Sequence, residues 1–170
     1  MKSKPAYAAL ELDPTARRHL FLTQGPDGLA AAHRAAAAVP AADAAVLPLD
    51  DSAGGETALC GALEGAGMDT AVYIAGPEVF LWQTANRLRA AGVENRRIQQ
   101  ELAGSNVRKV YCVHCRTVNE RVATTIHWCI GCGRALTVRD HFSRPLGAYM
   151  GVIVDAETPG AVPEPETRYA

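Results

Sequence analysis

A chain of 170 residues has room for one medium domain or two small ones. Hydrophobic residues make up 48%, enough for a core, but many are alanine and aromatics are only 6%, so the core is thin per residue. A net charge of −1 makes no global case for nucleic acid or a membrane surface, and no apolar run is long enough to span a bilayer.

Residues 1–17, with Pro5 and Pro14, read as an N-terminal extension. His19-Leu-Phe-Leu-Thr23 is a short buried strand, followed by the turn Gln24-Gly-Pro-Asp-Gly28, in which Asp27 is placed to cap a helix. Leu29 to Val39 reads as an alanine-rich helix stopped by Pro40. Ala44 to Asp50 is a second strand, put at a sheet edge by Pro48. After a loop over Asp51–Gly55, a second helix runs from Glu56 to Ala66, with Cys60 expected as a small buried hydrophobe. Thr70-Ala-Val-Tyr-Ile-Ala75 is a continuous β-branched and aromatic run, the pattern of a parallel strand buried on both faces. Gly76-Pro77 turns the chain into a helix over Glu78–Ala91, whose Phe80, Leu81, Thr84, Ala85, Leu88 and Ala91 recur at helical spacing, with Gly92 as its stop. Arg97 to Leu102 is a last strand, and Ala103-Gly-Ser105 a linker. Strands alternating with helices predict an α/β class: a small parallel-sheet, Rossmann-like domain over residues 18–104.

The remainder reads differently. Cys112-Val-His-Cys115 and Cys129-Ile-Gly-Cys132 form the pattern C-x2-C-x13-C-x2-C. Two residues between cysteines let both thiolates of one turn reach one ion, and two such turns supply a closed tetrahedral S4 set. Gly131 and Gly133 suit a knuckle whose backbone amides fold back toward the sulfurs. The predicted metal ligands are Cys112, Cys115, Cys129 and Cys132, with zinc the default ion and iron, as in rubredoxins, the alternative. Two disulfides would also use four cysteines, but no apolar signal segment opens the sequence, so a reducing cytoplasm is expected. Residues 105–155 are therefore a zinc-ribbon or rubredoxin-like β module, with strands near Tyr111, over Thr124–Trp128 and over Leu136–Arg139. Residues 156–170, with Pro159, Pro163 and Pro165, read as a flexible or docking tail.

Charge follows the same division. Residues 1–104 carry 9 Lys/Arg against 12 Asp/Glu, residues 105–150 carry 7 against 2, and the last 20 carry 1 against 4. The cysteine module is thus basic: a solvated surface, or a docking face for an acidic partner such as a redox carrier or for nucleic acid. Nucleic acid is the weaker of these, because the arginines are not interleaved with a row of stacking aromatics.

No catalytic constellation is legible. Ser52, Ser105 and Ser143 lie outside any G-x-S-x-G context, and Asp50-Asp51 reads as loop acids. His114 lies inside the first knuckle and His127 two residues before Cys129, while His141 sits among Arg139, Asp140 and Arg144 as a candidate partner contact. Four thiolates would close the metal site, leaving no position for substrate.

The segment Val72-Tyr-Ile-Ala-Gly-Pro-Glu-Val-Phe80, with Ala90-Ala-Gly-Val93 and Arg97-Ile-Gln-Gln-Glu101, resembles the end of a flavodoxin-reductase-type nicotinamide domain. Ala75 stands where that family has a cysteine, and the turn Thr23–Gly28 lacks a glycine-rich pyrophosphate loop and carries Asp27, which would repel phosphate. No flavin-binding barrel precedes the first strand, and no terminal aromatic follows Glu101. The resemblance therefore implies a retained scaffold without its cofactor. Tyr111-Cys-Val-His-Cys-Arg-Thr-Val118 and Cys129-Ile-Gly-Cys-Gly-Arg134, continued by Asp140-His-Phe-Ser-Arg144 to Gly151, resemble the small subunit of bacterial dimethylamine monooxygenases, most strongly over residues 110–154. That resemblance implies a non-catalytic subunit of a complex that uses NADPH and O2 to demethylate dimethylamine. Its partners would be a haem-containing catalytic subunit and a reductase subunit carrying FMN and a 2Fe–2S cluster.

Overall fold

The computed structural model describes residues 4–50 and 53–169, which fold as two compact units. One spans residues 7–104; the other comprises residues 105–169 together with residues 4–6.

The first unit runs β1 (Arg18–Thr23), α1 (Gly25–Ala36), β2 (Ala44–Pro48), α2 (Ala53–Glu64), β3 (Thr70–Gly76), α3 (Glu78–Ala90), a single 3-10 turn (Asn95–Arg97) and β4 (Ile98–Leu102). The four strands are parallel, in the order β2-β1-β3-β4. Every residue of β3 is buried, as its unbroken apolar run requires, and Pro48 ends the edge strand β2. Alternation along the strands puts Phe21, Ala71, Tyr73 and Ala75 on one face, packed with Ala31 and Ala32 of α1. The opposite face, that of Ile74 and Gln100, carries α3: Gln100 Nε2 donates to the Leu81 carbonyl at 2.9 Å. The α1 start abuts β3 closely. A Cβ on Gly28 would stand 2.4 Å from the Ala75 carbonyl oxygen, so only glycine fits.

Several local expectations change. The turn at Gln24–Gly28 is itself the first turn of α1, since Pro26 supplies a helical φ there, and Asp27 lies inside that turn rather than capping it. Ala91 is exposed beyond the end of α3, whereas Trp82 is buried within it. Cys60 is exposed on α2, so it is not the buried hydrophobe expected. Asp51 and Ser52, read as loop, lie outside the described residues.

Residues 7–13 lie along the α1 face of β4 as a strap. The Leu10 N–H donates to Glu101 at 2.8 Å, the Glu11 N–H to Gln99 at 3.0 Å, and the Asp13 N–H to the Tyr73 hydroxyl at 2.9 Å. Leu10 is buried in the same cluster as Phe21 and Tyr73. The strap supplies apolar cover that the thin, alanine-rich core lacks on this face.

The second unit contains β5 (Arg108–Cys112), β6 (Val118–Val122), β7 (Ile126–Trp128), β8 (Ala135–Ser143) and β9 (Ala148–Ile153), in the sheet order β6-β5-β9-β8-β7. The β5–β9 pair is parallel and the other three are antiparallel. The expected strand over Thr124–Trp128 is shorter, because Thr124 instead bridges Thr167 near the chain end. Residues 166–169, within the stretch 156–170 expected as a flexible or docking tail, make contacts with the rest of the unit. Thr125 and Glu166 exchange hydrogen bonds, and Tyr169 is buried with its ring 3.8 Å from the Arg108 guanidinium, which the Tyr149 ring flanks at the same distance. Arg108, itself buried, also donates to Asp140 at 2.7 Å.

Candidate metal centre

The two cysteine pairs sit in two equivalent turns. In the first, entered from β5, the Arg116 N–H donates to the Cys112 carbonyl at 2.9 Å, with Arg116 at φ 66°. In the second, leaving β7, the Gly133 N–H donates to the Cys129 carbonyl at 2.8 Å, with Gly133 at φ 70°. Each knuckle thus closes with the residue after its second cysteine in the left-handed region. Glycine does so freely in one, and an arginine does so under strain in the other.

The four sulfurs converge within 4.8 Å of one another. Cys112 and Cys132 are 4.0 Å apart and Cys115 and Cys129 3.5 Å, too far for disulfides, which need about 2.05 Å. Zinc–sulfur bonds of about 2.3 Å at tetrahedral angles would set the sulfurs about 3.8 Å apart, so these distances fit a tetrahedral S4 ion. The first cysteine of each pair is buried and the second is half-buried, placing the cage just under the surface.

The free thiols are not equivalent. Burial pushes Cys112 up to about 11, whereas the hydroxyl and backbone N–H of Thr117 draw Cys115 down to about 6. Burial also acts against the Cys129 thiolate, but the backbone N–H groups of Cys132 and Gly131 hold that thiol below its ordinary value. A divalent cation is the natural compensation for gathering four thiolates, and its binding would release protons.

Two residues that carry no metal-ligand signal hold the knuckles together. Asn119, fully buried on β6, donates through Nδ2 to the Val110 carbonyl at 3.2 Å and approaches the Cys129 sulfur at 3.8 Å, while its Oδ1 accepts the Ile130 N–H at 2.9 Å. Thr117 packs on the second knuckle so closely that a Cβ on Gly131 would stand 2.1 Å from its Oγ1. Asn119 and Thr117 act on the site through contacts across the chain, which spacing in the sequence does not reveal.

The histidines do not join the cage. His114 points outward, its Nδ1 3.3 Å from Arg134 Nη1. His127 is partly buried, and burial holds its pKa below the ordinary value. His141 is exposed on β8. Among the described residues, the four cysteines are the cluster able to hold a metal.

Residues 109–152, which contain all four cysteines, match the family described as dimethylamine monooxygenase subunit DmmA-like, C-terminal domain. The likeness is not confined to the ribbon. Over 162 residues, 92% of this chain and 91% of the other, it is 33% identical to the heme-dependent oxidative N-demethylase delta subunit of Ectopseudomonas mendocina (strain ymp). The chain belongs to the DmmA-like subunit family. No solved structure matches it.

In this DmmA-like subunit the carboxyl ends of β1 and β3, where a Rossmann-like sheet would take a dinucleotide, are furnished with acids. Asp27 lies in the first turn of α1, and Glu78, at the start of α3, is buried and accepts the Tyr7 hydroxyl at 2.9 Å, while Tyr7 in turn accepts the Trp82 Nε1–H at 2.7 Å. Glu101, the acidic residue of the reductase-like motif, is engaged by Arg34 at 2.6 Å and by the strap. No helix among the described residues is long and apolar enough to cross a membrane.

Proposed function

We propose that this chain is an accessory subunit of a multi-subunit, haem-dependent oxidative N-demethylase, and that its S4 site holds a structural zinc ion. The observation that carries the reading is the closed cage: four sulfurs on two locked knuckles, with spacings suited to a tetrahedral ion. A bound zinc would link β5, the second knuckle and, through Asn119, β6, and would add its binding free energy to the folding of a small sheet. With all four positions filled by thiolate, the ion would present no site to oxygen or amine.

On this reading the chemistry belongs to partners: a haem-containing catalytic subunit, and a flavin and iron–sulfur reductase subunit fed by NADPH, converting dimethylamine to methylamine and formaldehyde. The family and the 33% identity to a delta subunit support that assignment. The α/β unit serves as scaffold rather than nucleotide site, because Asp27 and buried Glu78 would oppose a pyrophosphate at the sheet's carboxyl edge.

A second reading draws on the half-exposed Cys115 and Cys132 beneath exposed Val113 and Ile130. Iron in so shallow a cage could pass electrons to a docked partner, as a rubredoxin does. Metal analysis with a visible spectrum of the purified chain separates the two. About one zinc per chain without colour is expected for the closed structural site. One iron with intense thiolate charge-transfer bands would overturn the structural assignment and make the chain an electron relay.

A further inference from the structure

One face of the five-stranded sheet is buried: Leu136 packs with Cys112 and Cys129, and Val110, Val138 and Tyr149 lie on the same face. The other face carries no such cover. Tyr111 pairs with Met150 across β5 and β9, and Val152 with Thr137 across β9 and β8, so these four half-buried residues form a continuous row over three strands. Val113 and Leu146, 47% and 49% exposed, extend the row at one end. Two hollows lie along it, of about 180 and 550 Å³, one on either side of a shared wall at Met150, and together they make a groove in two parts.

The rim is shaped by a bulge. Between Val138 and Phe142 the register shifts, so that Arg139, Asp140 and His141 stand opposite Met150 alone. Arg139 and His141 are exposed and line the groove, whereas Asp140 is engaged by buried Arg108. The bulge thereby presents the Arg139 guanidinium beside the His141 imidazole and ties up its one carboxylate. Glu157 closes the far end; residues 105–150, which supply the rest of the rim's charge, carry 7 Lys/Arg against 2 Asp/Glu.

We infer that this groove is a docking site for a segment of another subunit of the demethylase that presents apolar side chains flanked by Asp or Glu. The inference rests on the accessory-subunit reading above. The apolar row buries the segment's side chains, Arg139 pairs with its carboxylates while His141 offers a hydrogen bond, and the β8–β9 hydrogen bonds are already made, so recognition runs through side chains rather than strand addition.

The test is co-expression of the full chain with the other subunits of its N-demethylase and recovery through a tag on this chain. Met150→Asp with Arg139→Glu should lower recovery of the complex by about tenfold or more. The gentler Met150→Ala should lower it less and make the remainder more salt-sensitive. Met68→Asp, at an apolar residue 91% exposed and outside both the groove and the cysteine site, should leave recovery unchanged. Variants that keep their metal and near-UV circular dichroism yet assemble like the unaltered chain would overturn the inference. So would loss of assembly in Met68→Asp alone, or a dimer of the isolated chain that Met150→Asp dissociates, which would make the occupant a second copy. Failure of the unaltered chain to assemble would instead sink the accessory-subunit reading itself, and this inference with it.

Discussion

At the scale of single residues, the two knuckles offer an internal comparison. Arg116 and Gly133 do the same backbone work at nearly the same φ, but a side chain in that region costs about 1–2 kcal/mol. Arg116→Gly should therefore stabilise the metal-loaded ribbon, by roughly 0.5–1 kcal/mol after the entropy glycine adds to the unfolded chain. A rise in the thermal midpoint, with unchanged metal content, is the expected reading. Asn119 predicts the opposite sign. Asn119→Ala leaves the buried Val110 carbonyl without this donor, at about 1–3 kcal/mol, and releases the part-buried Ile130 N–H. Its midpoint should fall, and amide exchange at Ile130 should accelerate before the rest of the sheet. An Asn119→Ala protein as stable as its parent would mean that water or another side chain replaces both contacts. Nothing in the sequence marks Asn119, because its partners are brought to it by pairing between β5 and β6 and by the second knuckle.

At the scale of elements, both ends of the chain are held by side chains deep in the fold. Glu101 fastens the strap by accepting the Leu10 N–H while pairing with Arg34. Glu101→Ala should release residues 7–13, seen as loss of exchange protection at Leu10 and a lower midpoint, with the cysteine site's metal retained. The C-terminal segment is fastened through Arg108, and Asp140 completes that anchor. Its hydrogen bond and ion pair with Arg108 hold the Asp140 carboxyl below its ordinary 3.8. A depressed carboxyl pKa gives stability that is full above the ordinary value and is lost as pH falls through the lowered one. Protection of Tyr169 from exchange should thus hold at neutral pH and fade in acid below about 3.8. Asp140→Asn should weaken it at neutral pH and flatten the acid dependence. A reading from local sequence alone took residues 1–17 as an extension and residues 156–170 as a flexible or docking tail, since the contacts of these segments lie far away in sequence: Leu10 to Glu101, Tyr169 to Arg108.

At the scale of the whole molecule, two units with different sources of stability sit on one chain. Residues 7–104 rest on a buried parallel sheet, whereas the ribbon gathers four thiols that repel one another as thiolates until a cation joins them. Chelation should therefore remove β signal and near-UV ellipticity from the ribbon while the helical signal of α1 and α3 persists. Cys132→Ser should do the same without chelator and should abolish co-purification with the partner subunits. A single cooperative loss of both signals would show that the α/β unit depends on the metal as well. The uneven charge belongs to this scale too: the basic ribbon is a compact patch on an almost neutral chain.

The sequence by itself determined the elements whose physics is local. Two C-x2-C turns are local in sequence, so the convergence of Cys112, Cys115, Cys129 and Cys132 could be expected before any fold was known. The apolar run of β3 and the alternation of strands and helices likewise sufficed for a parallel α/β sheet. Tertiary structure alone decided what depends on distant pairing. It set the parallel β5–β9 contact that aligns Tyr111 with Met150, the placement of Asn119 between two knuckles, the exposure of Cys60, and the fastening of both termini. Ligand spacing and strand periodicity act within a few residues and are written in the chain. A buried amide, a strap and a groove exist only once segments far apart in sequence have closed on one another.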